Sequence, residues 1–112
     1  MENCVFCKII RGEIQSQFVY QDEEVVAFHD QAPLAPVHVL IIPRLHIPTF
    51  NDLQIEHKGL MGHLLWVSQE IARQKNIQEK GYRLIMNCGR DAGQEVNHLH
   101  FHLLGGRPLG EQ

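Results

Sequence analysis

Cysteine, basic residues and long apolar runs are all scarce in this chain of 112 residues. Three cysteines are an odd number and do not form the pattern of a disulfide framework. The formal net charge is −3 and no run of Lys or Arg occurs, which argues against a nucleic-acid binder. No apolar stretch is long enough to span a membrane. We therefore expect neither nucleic acid nor a membrane as a partner.

The remaining composition is that of an ordinary globular protein. The chain is 44% hydrophobic and 21% charged, with no repeat, linker or low-complexity segment. Its length predicts one domain, residues 1–112, with room for a single core. Residues 1–4 are polar and acidic and lack the pattern of a signal peptide, so we expect a cytoplasmic protein.

Patterns of apolar residues predict a short helix, five strands and one long helix. The short helix is expected at residues 4–11, and β-rich runs at 18–20 and 25–28 predict a hairpin. Residues 37–42 form the strongest strand, which Pro43 stops, and two further strands are expected at 82–86 and 98–104. Helices and strands do not alternate one for one. This order favours an α+β fold with an antiparallel sheet.

The long helix is predicted over residues 51–76. Asn51 and Gln54 fit a loose capping box at its start. Apolar residues from Leu60 to Ile71 recur at helical spacing and give the helix one apolar stripe.

The most informative segment is residues 98–104, with the sequence HLHFHLL. In a strand, successive side chains alternate between faces, so His98, His100 and His102 would share one face. The pattern alone leaves three interpretations open: side chains without chemistry, a metal site, or a catalytic group in which one imidazole attacks and the others orient and protonate. Glycines flank the segment and would allow backbone amides to approach a ligand, while no Walker or dinucleotide fingerprint is present.

This segment resembles the signature of the histidine-triad (HIT) superfamily. Residues 5–10, 27–30, 38–43, 81–87 and 105–107 are similar to the Hint branch, and they occur in the same order over nearly the whole chain. The resemblance implies the HIT fold, with an antiparallel sheet of about five strands, one long helix and a short N-terminal helix. It also implies hydrolysis of purine nucleoside phosphoramidates and acyl-nucleotides derived from AMP or GMP, and a homodimer in which two sheets join.

The resemblance assigns a role to each of four histidines. His100 is the nucleophile that forms a nucleotidyl-histidine, and His102 is the candidate proton donor to the leaving amine. His98 either orients the others or binds zinc, and His38 supports the triad. No cofactor is required for such a step, because positioning and hydrogen-bond donors carry much of phosphoryl-transfer catalysis.

The resemblance also implies a substrate pocket, in which Asp30 binds the ribose and apolar residues hold the base. The pocket residues are Phe6, Ile9, Phe28, His29, Asp30, Asn87, Gly93, Glu95 and Val96. Some of the aromatic ones could equally be ordinary core. Glu95 departs from animal members of the branch, which have serine there. We expect Glu95 to face the leaving group and to favour a cationic amine.

Cys4 and Cys7 form a Cys-x-x-Cys pair, which alone also fits two reduced cysteines beside a helix. Other histidine-triad branches use such a pair to bind zinc, together with two histidines that correspond to His46 and His98 here. Two thiolates and two imidazoles would make a closed, structural zinc site.

Two alternative functions remain at this point. One is a nucleotide-binding regulatory module in which hydrolysis is incidental. The other is a small zinc protein whose histidines only bind metal.

Overall fold

A computed structural model describes residues 1–111 and shows a five-stranded antiparallel sheet with two α-helices. The strands are β1 (Phe18–Gln21), β2 (Val25–His29), β3 (Val37–Pro43), β4 (Tyr82–Met86) and β5 (Phe101–Gly105), in the spatial order β1-β2-β3-β5-β4. The helices are α1 (Val5–Ile10) and α2 (Lys58–Gln74). The predicted α+β class is confirmed. No helix within the described residues has the length and apolar character needed to cross a membrane.

The sheet has two apolar faces because side chains alternate along each strand. The larger cluster lies between the sheet and α2, and it includes Val25, Ala27, Val39, Ile41, Leu64, Val67, Ile71, Leu99, Phe101 and Leu103. The smaller cluster lies on the opposite face with α1, and it contains Phe6, Ile9, Val26, Phe28, Leu40 and Ile42. Each fully buried Leu, Ile or Phe contributes about 1.5–3 kcal/mol relative to an exposed position. The larger cluster, on the α2 face, therefore contributes most of this stabilisation.

The long helix begins later than the sequence predicts. Residues 50–52 and 55–57 form short 3-10 turns, and α2 begins only at Lys58. The predicted capping box of Asn51 is wrong. Thr49 instead caps the first 3-10 turn: its hydroxyl accepts from the Asn51 N–H at 3.1 Å, and Asp52 accepts from the Thr49 N–H at 3.0 Å. Leu53 then has an extended backbone, with ψ at 138°, so no continuous helix can run from 51.

The histidine segment also enters its strand later than predicted. β5 begins at Phe101, which pairs with Ile41 of β3, whereas His98 and His100 precede the regular ladder. The alternation of side chains nevertheless extends upstream. Leu99 packs in the cluster beside α2, while the rings of His98 and His100 lie against Phe6, with centroids 5.8 and 5.1 Å away. The predicted division of this segment between two faces therefore holds beyond the strand itself.

Two glycines fix the end of β5. A Cβ on Gly105 would lie 2.8 Å from Cδ1 of Ile77, so the end of the Ile77 side chain would have to shift to make room for it. Gly106 has a φ of +95°, and a Cβ there would lie 2.9 Å from Pro36. The end of the strand that carries His102 is thus closely packed, and Gly106 has a backbone conformation that favours glycine.

Asp22 fastens the β1–β2 hairpin to α2. Its Oδ1 accepts from the N–H groups of Glu24 and Val25 at 2.8 and 2.7 Å. Its Oδ2 accepts from the Tyr20 hydroxyl and from Nε2 of His63, both at 2.6 Å. Burial opposes ionisation, but the hydrogen bonds outweigh it and hold the pKa of Asp22 below its usual range. The bond to Asp22 in turn raises the pKa of Tyr20 to about 12.

Candidate active site

A cleft of about 610 Å³ opens on the α1 face of the sheet. All nine residues predicted to bind substrate line it, together with His100 and His102. Six further residues line the cleft but were not predicted from the sequence: Val5, Ile14, Ser16, Gln31, Leu34 and Leu40. Most of these lie in loops or at element ends, where no periodicity marks a residue as facing a cleft.

His100 lies in this cleft, where Nδ1 forms a hydrogen bond and Nε2 has no hydrogen-bond partner within residues 1–111. Its side chain is buried, and its Nδ1–H donates to the carbonyl oxygen of His98 at 2.7 Å. Phe6 meets the ring edge-on, at an interplanar angle of 90°. Burial lowers the pKa of His100, so the ring is neutral near pH 7. The bond at Nδ1 therefore leaves a lone pair on Nε2, as a nucleophile requires.

A chain of hydrogen bonds sets the tautomer of His102. Nδ1 of His38 accepts from the Leu34 N–H at 3.1 Å, so the His38 proton is on Nε2. That Nε2–H donates to Nδ1 of His102 at 3.0 Å. His102 consequently carries its own proton on Nε2. Burial lowers the pKa of His102 to about 4, so the ring is a neutral donor at pH 7.

Asp30 stands at one end of the cleft, beside this hydrogen-bonded pair. Its Oδ1 accepts from the Ala32 N–H at 2.8 Å, and its Oδ2 lies 3.5 Å from Nε2 of His38. Asp30, His38 and His102 also offer ligand-type atoms within 4.8 Å of one another. Because the two imidazoles hydrogen-bond to each other, this group is satisfied without a metal ion.

The loop of residues 89–96 also contributes to the cleft lining, and Gln94 holds this loop in place. The Gln94 side-chain oxygen accepts from the Gly89 N–H at 2.8 Å. Its Nε2 donates to the carbonyl oxygens of Pro48 and Val96 at 2.7 and 3.0 Å. The role of Gln94 in holding this loop could not be predicted from the sequence, because a glutamine in a glycine-rich loop gives no signal of these hydrogen bonds.

The four residues predicted to bind zinc lie together at the N-terminus of α1. Their ligand atoms all fall within 4.8 Å of one another. Nδ1 of His98 is 3.4 Å from Sγ of Cys4 and 3.6 Å from Sγ of Cys7, which lies 3.3 Å from Nδ1 of His46. The Nε2–H of His98 donates to the Pro43 carbonyl at 2.7 Å, so Nδ1 presents its lone pair to the thiols. Two thiols and two imidazoles are the donor set of a structural zinc site, and the arrangement fits one.

Of the four histidines predicted to be catalytic, His100 and His102 line this cleft of 610 Å³, whereas His98 and His38 do not. The ring of His98 belongs to the thiol cluster, and its carbonyl holds His100. His38 lines a neighbouring cleft beside Asp30 and acts on the site through His102. The four histidines therefore divide into two that face the cleft and two that hold them.

This fold and this histidine cluster define a small α+β hydrolase. A model of the HIT domain matches residues 11–109, and the chain belongs to the HIT family. Purine nucleoside phosphoramidase of Escherichia coli strain K12 is 57% identical over 109 residues, which cover 97% of this chain and 92% of that protein.

Two solved structures extend the likeness to three dimensions. A HIT family hydrolase from Clostridium thermocellum superposes with a TM-score of 0.97 at 48% identity, over 100% of this chain and 97% of that one. One from Legionella pneumophila gives 0.93 at 45% identity, over 95% of each chain. The predicted family and fold are thereby confirmed.

Proposed function

We propose that this chain is a cytoplasmic hydrolase that cleaves purine nucleoside phosphoramidates and acyl-nucleotides to a nucleoside monophosphate and the leaving group. The observation that carries the proposal is the state of His100. Its ring is neutral and buried, its Nδ1–H is bonded to the His98 carbonyl, and its Nε2 is free. The name of the E. coli relative, purine nucleoside phosphoramidase, supports the choice of substrate.

In the first step, Nε2 of His100 attacks the α-phosphorus and the P–N bond breaks. Because Nδ1 keeps its proton, the imidazole gains positive charge as the new N–P bond forms. The His98 carbonyl oxygen, 2.7 Å from Nδ1, stabilises that charge. The leaving nitrogen accepts a hydrogen bond from the Nε2–H of His102, takes a proton from solvent and departs as an amine.

In the second step, a water molecule attacks the phosphorus of the nucleotidyl-histidine. This water gives up one proton to solvent as it attacks, which balances the proton taken up in the first step. The N–P bond breaks, and the nucleoside monophosphate leaves with His100 restored. The two steps together consume one phosphoramidate and one water and release one nucleotide and one amine.

Different residues of the cleft serve the two parts of the substrate. Asp30, whose oxygens retain unused lone pairs, accepts hydrogen bonds from the ribose hydroxyls. Ile9, Phe28 and His29, which line the same cleft, surround the base. Asn87 and Gly93, which also line it, contact the phosphate side.

A structural zinc ion is part of this proposal. Cys4, Cys7, His46 and His98 would hold it, and it would fix α1 against the segment that carries His100. The ion stabilises the scaffold, and no step of the reaction passes through it.

We also propose a homodimer. Strand β4 lies at the edge of the sheet with no second strand beside it in the described chain. Leu65 and Trp66 of α2 are 50% and 52% exposed, and Tyr82 of β4 is 39% exposed. A second copy paired along β4 would cover all three and join the two sheets. Light scattering after gel filtration should give twice the chain mass, and Trp66→Lys should shift the protein toward monomer.

The test of the activity uses an adenosine phosphoramidate of a fluorescent amine. Wild-type protein should release the amine, and mass spectrometry after acid quenching in the first turnover should show one nucleotidyl group on the protein. His100→Ala should lower kcat by about 10³-fold or more and lose the adduct. His57→Ala, a histidine outside the cleft, is the matched control. Turnover that persists in His100→Ala would refute the nucleophile, whereas nucleotide binding without any wild-type turnover would favour the regulatory-module alternative.

A further inference from the structure

A cleft of about 770 Å³ lies beside the C-terminal ends of α2 and β5. Its walls are residues 75–77 after α2, Lys80 and Gly81 before β4, residues 106–108 after β5, and Val37. None of these residues lines the cleft of about 610 Å³ that contains the proposed nucleophile, which is called the histidine cleft below. The cleft at the end of α2, the basic cleft, is therefore a separate space.

Close packing holds the two turns that form the basic cleft. Asn76 and Gly106 both have left-handed backbones, with φ of 59° and +95°, so the chain turns sharply after α2 and after β5. Ile77 contacts Gly105 so closely that a Cβ on this glycine would lie 2.8 Å from Cδ1 of Ile77. The walls of the basic cleft are thus packed against each other and keep their relative position.

The basic cleft is positively charged, although the whole chain has a formal net charge of −3. Lys75, Lys80 and Arg107 line it, and no aspartate or glutamate does. The histidine cleft has the opposite composition, with Asp30 and Glu95 in its lining and no lysine or arginine. A cleft whose walls carry charge of one sign concentrates ions of the other sign. The basic cleft therefore favours an anion.

The cationic side chains of the basic cleft keep unused hydrogen-bond donors. The guanidinium of Arg107 donates to the carbonyl oxygens of Pro108 and Leu34, each at 2.7 Å, and most of its five N–H groups remain free. The ammonium group of Lys75 donates to Nε2 of His29 at 3.4 Å and keeps its other donors. None of the three cations of this cleft forms an ion pair within residues 1–111. Their charges are available to a ligand.

The dipole of α2 explains one of these cations at most. A lysine close to the C-terminus of a helix stabilises the partial negative charge of the last carbonyl groups. Lys75 occupies that position, whereas Lys80 lies beyond the turn at Asn76 and Arg107 follows β5. Capping of the helix therefore does not account for the other two cations in the same cleft.

The size of the basic cleft and the spread of its charges favour a chain of phosphate groups over a small monovalent anion. The cations come from separate segments around a space of about 770 Å³. A phosphate chain carries several negative charges and many acceptor oxygens, so it can contact the guanidinium and the ammonium groups together. We propose that the basic cleft binds a free oligophosphate. This inference does not depend on the hydrolysis proposed for the histidine cleft.

The test measures the binding of inorganic pyrophosphate to the whole chain by isothermal titration calorimetry at low salt. Wild-type protein should bind it, and Kd should rise as salt is added, because exposed charges are screened. Lys80→Gln should raise Kd by about two- to fivefold, the range for one exposed ion pair. Lys80→Glu should raise it further, because it places a negative charge in the cleft. The Lys80 side chain is exposed, so both variants should fold.

The matched control is Lys58→Glu, which makes the same charge change at the other end of α2. Lys58 and Lys75 are about 25 Å apart along the helix axis, so this variant should keep the wild-type Kd. Absence of pyrophosphate binding by wild-type protein, or equal Kd values for wild type and Lys80→Glu, would overturn the proposal.

Two further titrations separate the basic cleft from other ways of binding a phosphate chain. Pyrophosphate should still bind wild-type protein when AMP is present in excess, and complete displacement by AMP would place it in the histidine cleft and overturn the proposal. ADP carries the same two phosphates on a nucleoside. If Lys80→Glu weakens the binding of ADP but not that of pyrophosphate, the cleft recognises a nucleotide and the assignment to a free oligophosphate is wrong.

Discussion

The backbone carbonyl of His98 holds the ring of His100 through a 2.7 Å hydrogen bond to Nδ1. The side chain of the same His98 lies among Cys4, Cys7 and His46. One residue thus belongs to two assemblies: its main chain orients the proposed nucleophile, and its ring belongs to the thiol cluster.

Protein purified without chelators should contain about one zinc ion per chain, measured by elemental mass spectrometry. His46→Ala and Cys7→Ser each remove one ligand and should reduce the zinc content and lower Tm, because structural zinc contributes folding energy. Cys88→Ser is the control, since Cys88 lies outside the ligand cluster. Metal-free wild-type protein whose Tm does not rise when zinc is added would contradict the site.

The pH dependence of kcat/KM should place its acid limb below pH 6.5. The attacking form of His100 is neutral, and burial lowers the pKa of this residue below the usual value for histidine, near 6.5. The neutral form therefore persists to lower pH than in a free imidazole, and activity should be retained as pH falls through 6.5. Initial rates at low substrate concentration measure this profile. An acid limb at or above 6.5 would mean that the ring is not desolvated as the structure indicates.

His38→Ala should lower kcat by about 10–100-fold, with a smaller change in KM. The substitution removes the N–H that holds the proton of His102 on Nε2. His38→Gln places a side-chain N–H close to the position of Nε2, so it should recover part of the loss. If alanine and glutamine lower kcat equally although both variants fold, the donor to His102 has no role in orienting it.

Asp22→Asn should lower the free energy of unfolding by about 1–2 kcal/mol at pH 7, because charge-assisted bonds to Tyr20 and His63 are lost. The pKa of Asp22 is depressed in the folded state, so its contribution is present above the unfolded value, near 4, and is lost as pH falls below it. Urea unfolding of both proteins from pH 7 to pH 2 checks this.

The two unfolding curves should converge at the acid end of this range. Asp91→Asn, at a fully exposed carboxylate, is the control and should match wild type at every pH. A constant difference between Asp22→Asn and wild type at all pH values would show that the carboxylate charge is not the stabilising element.

The elements that the sequence predicts well are those with strong periodicity. Strand β3 and the hairpin of β1 and β2 lie where alternating and β-branched residues place them. The start of α2 could not be predicted this way, since Asn51 fits a helix cap by residue type, whereas the backbone is extended at Leu53 and Gln54 and α2 begins only at Lys58. Local signals compete at helix ends, and tertiary packing settles the outcome.

The candidate site also contains some residues that the sequence predicts and others that it does not. The residues that match a family motif, such as His100 and Asp30, could be named in advance, although their roles are still proposals. Gln94 could not, because its three bonds join backbone groups from separate loops. The hydrogen bond between His63 and Asp22 could not be predicted from the sequence either, since the two residues are 41 positions apart. Contacts between distant segments depend on the fold rather than on any local pattern.

The alternation of residues 98–103 between two faces has a consequence for how this protein tolerates change in chain length. Leu99 and Phe101 fill the core beside α2, while His98 and His100 lie on the other face. A single inserted or deleted residue here would exchange the two sets, because the side-chain period is two. The imidazole side chains would then face the apolar core, and the site would no longer contain them. A single insertion or deletion in this segment should therefore disturb folding and chemistry together.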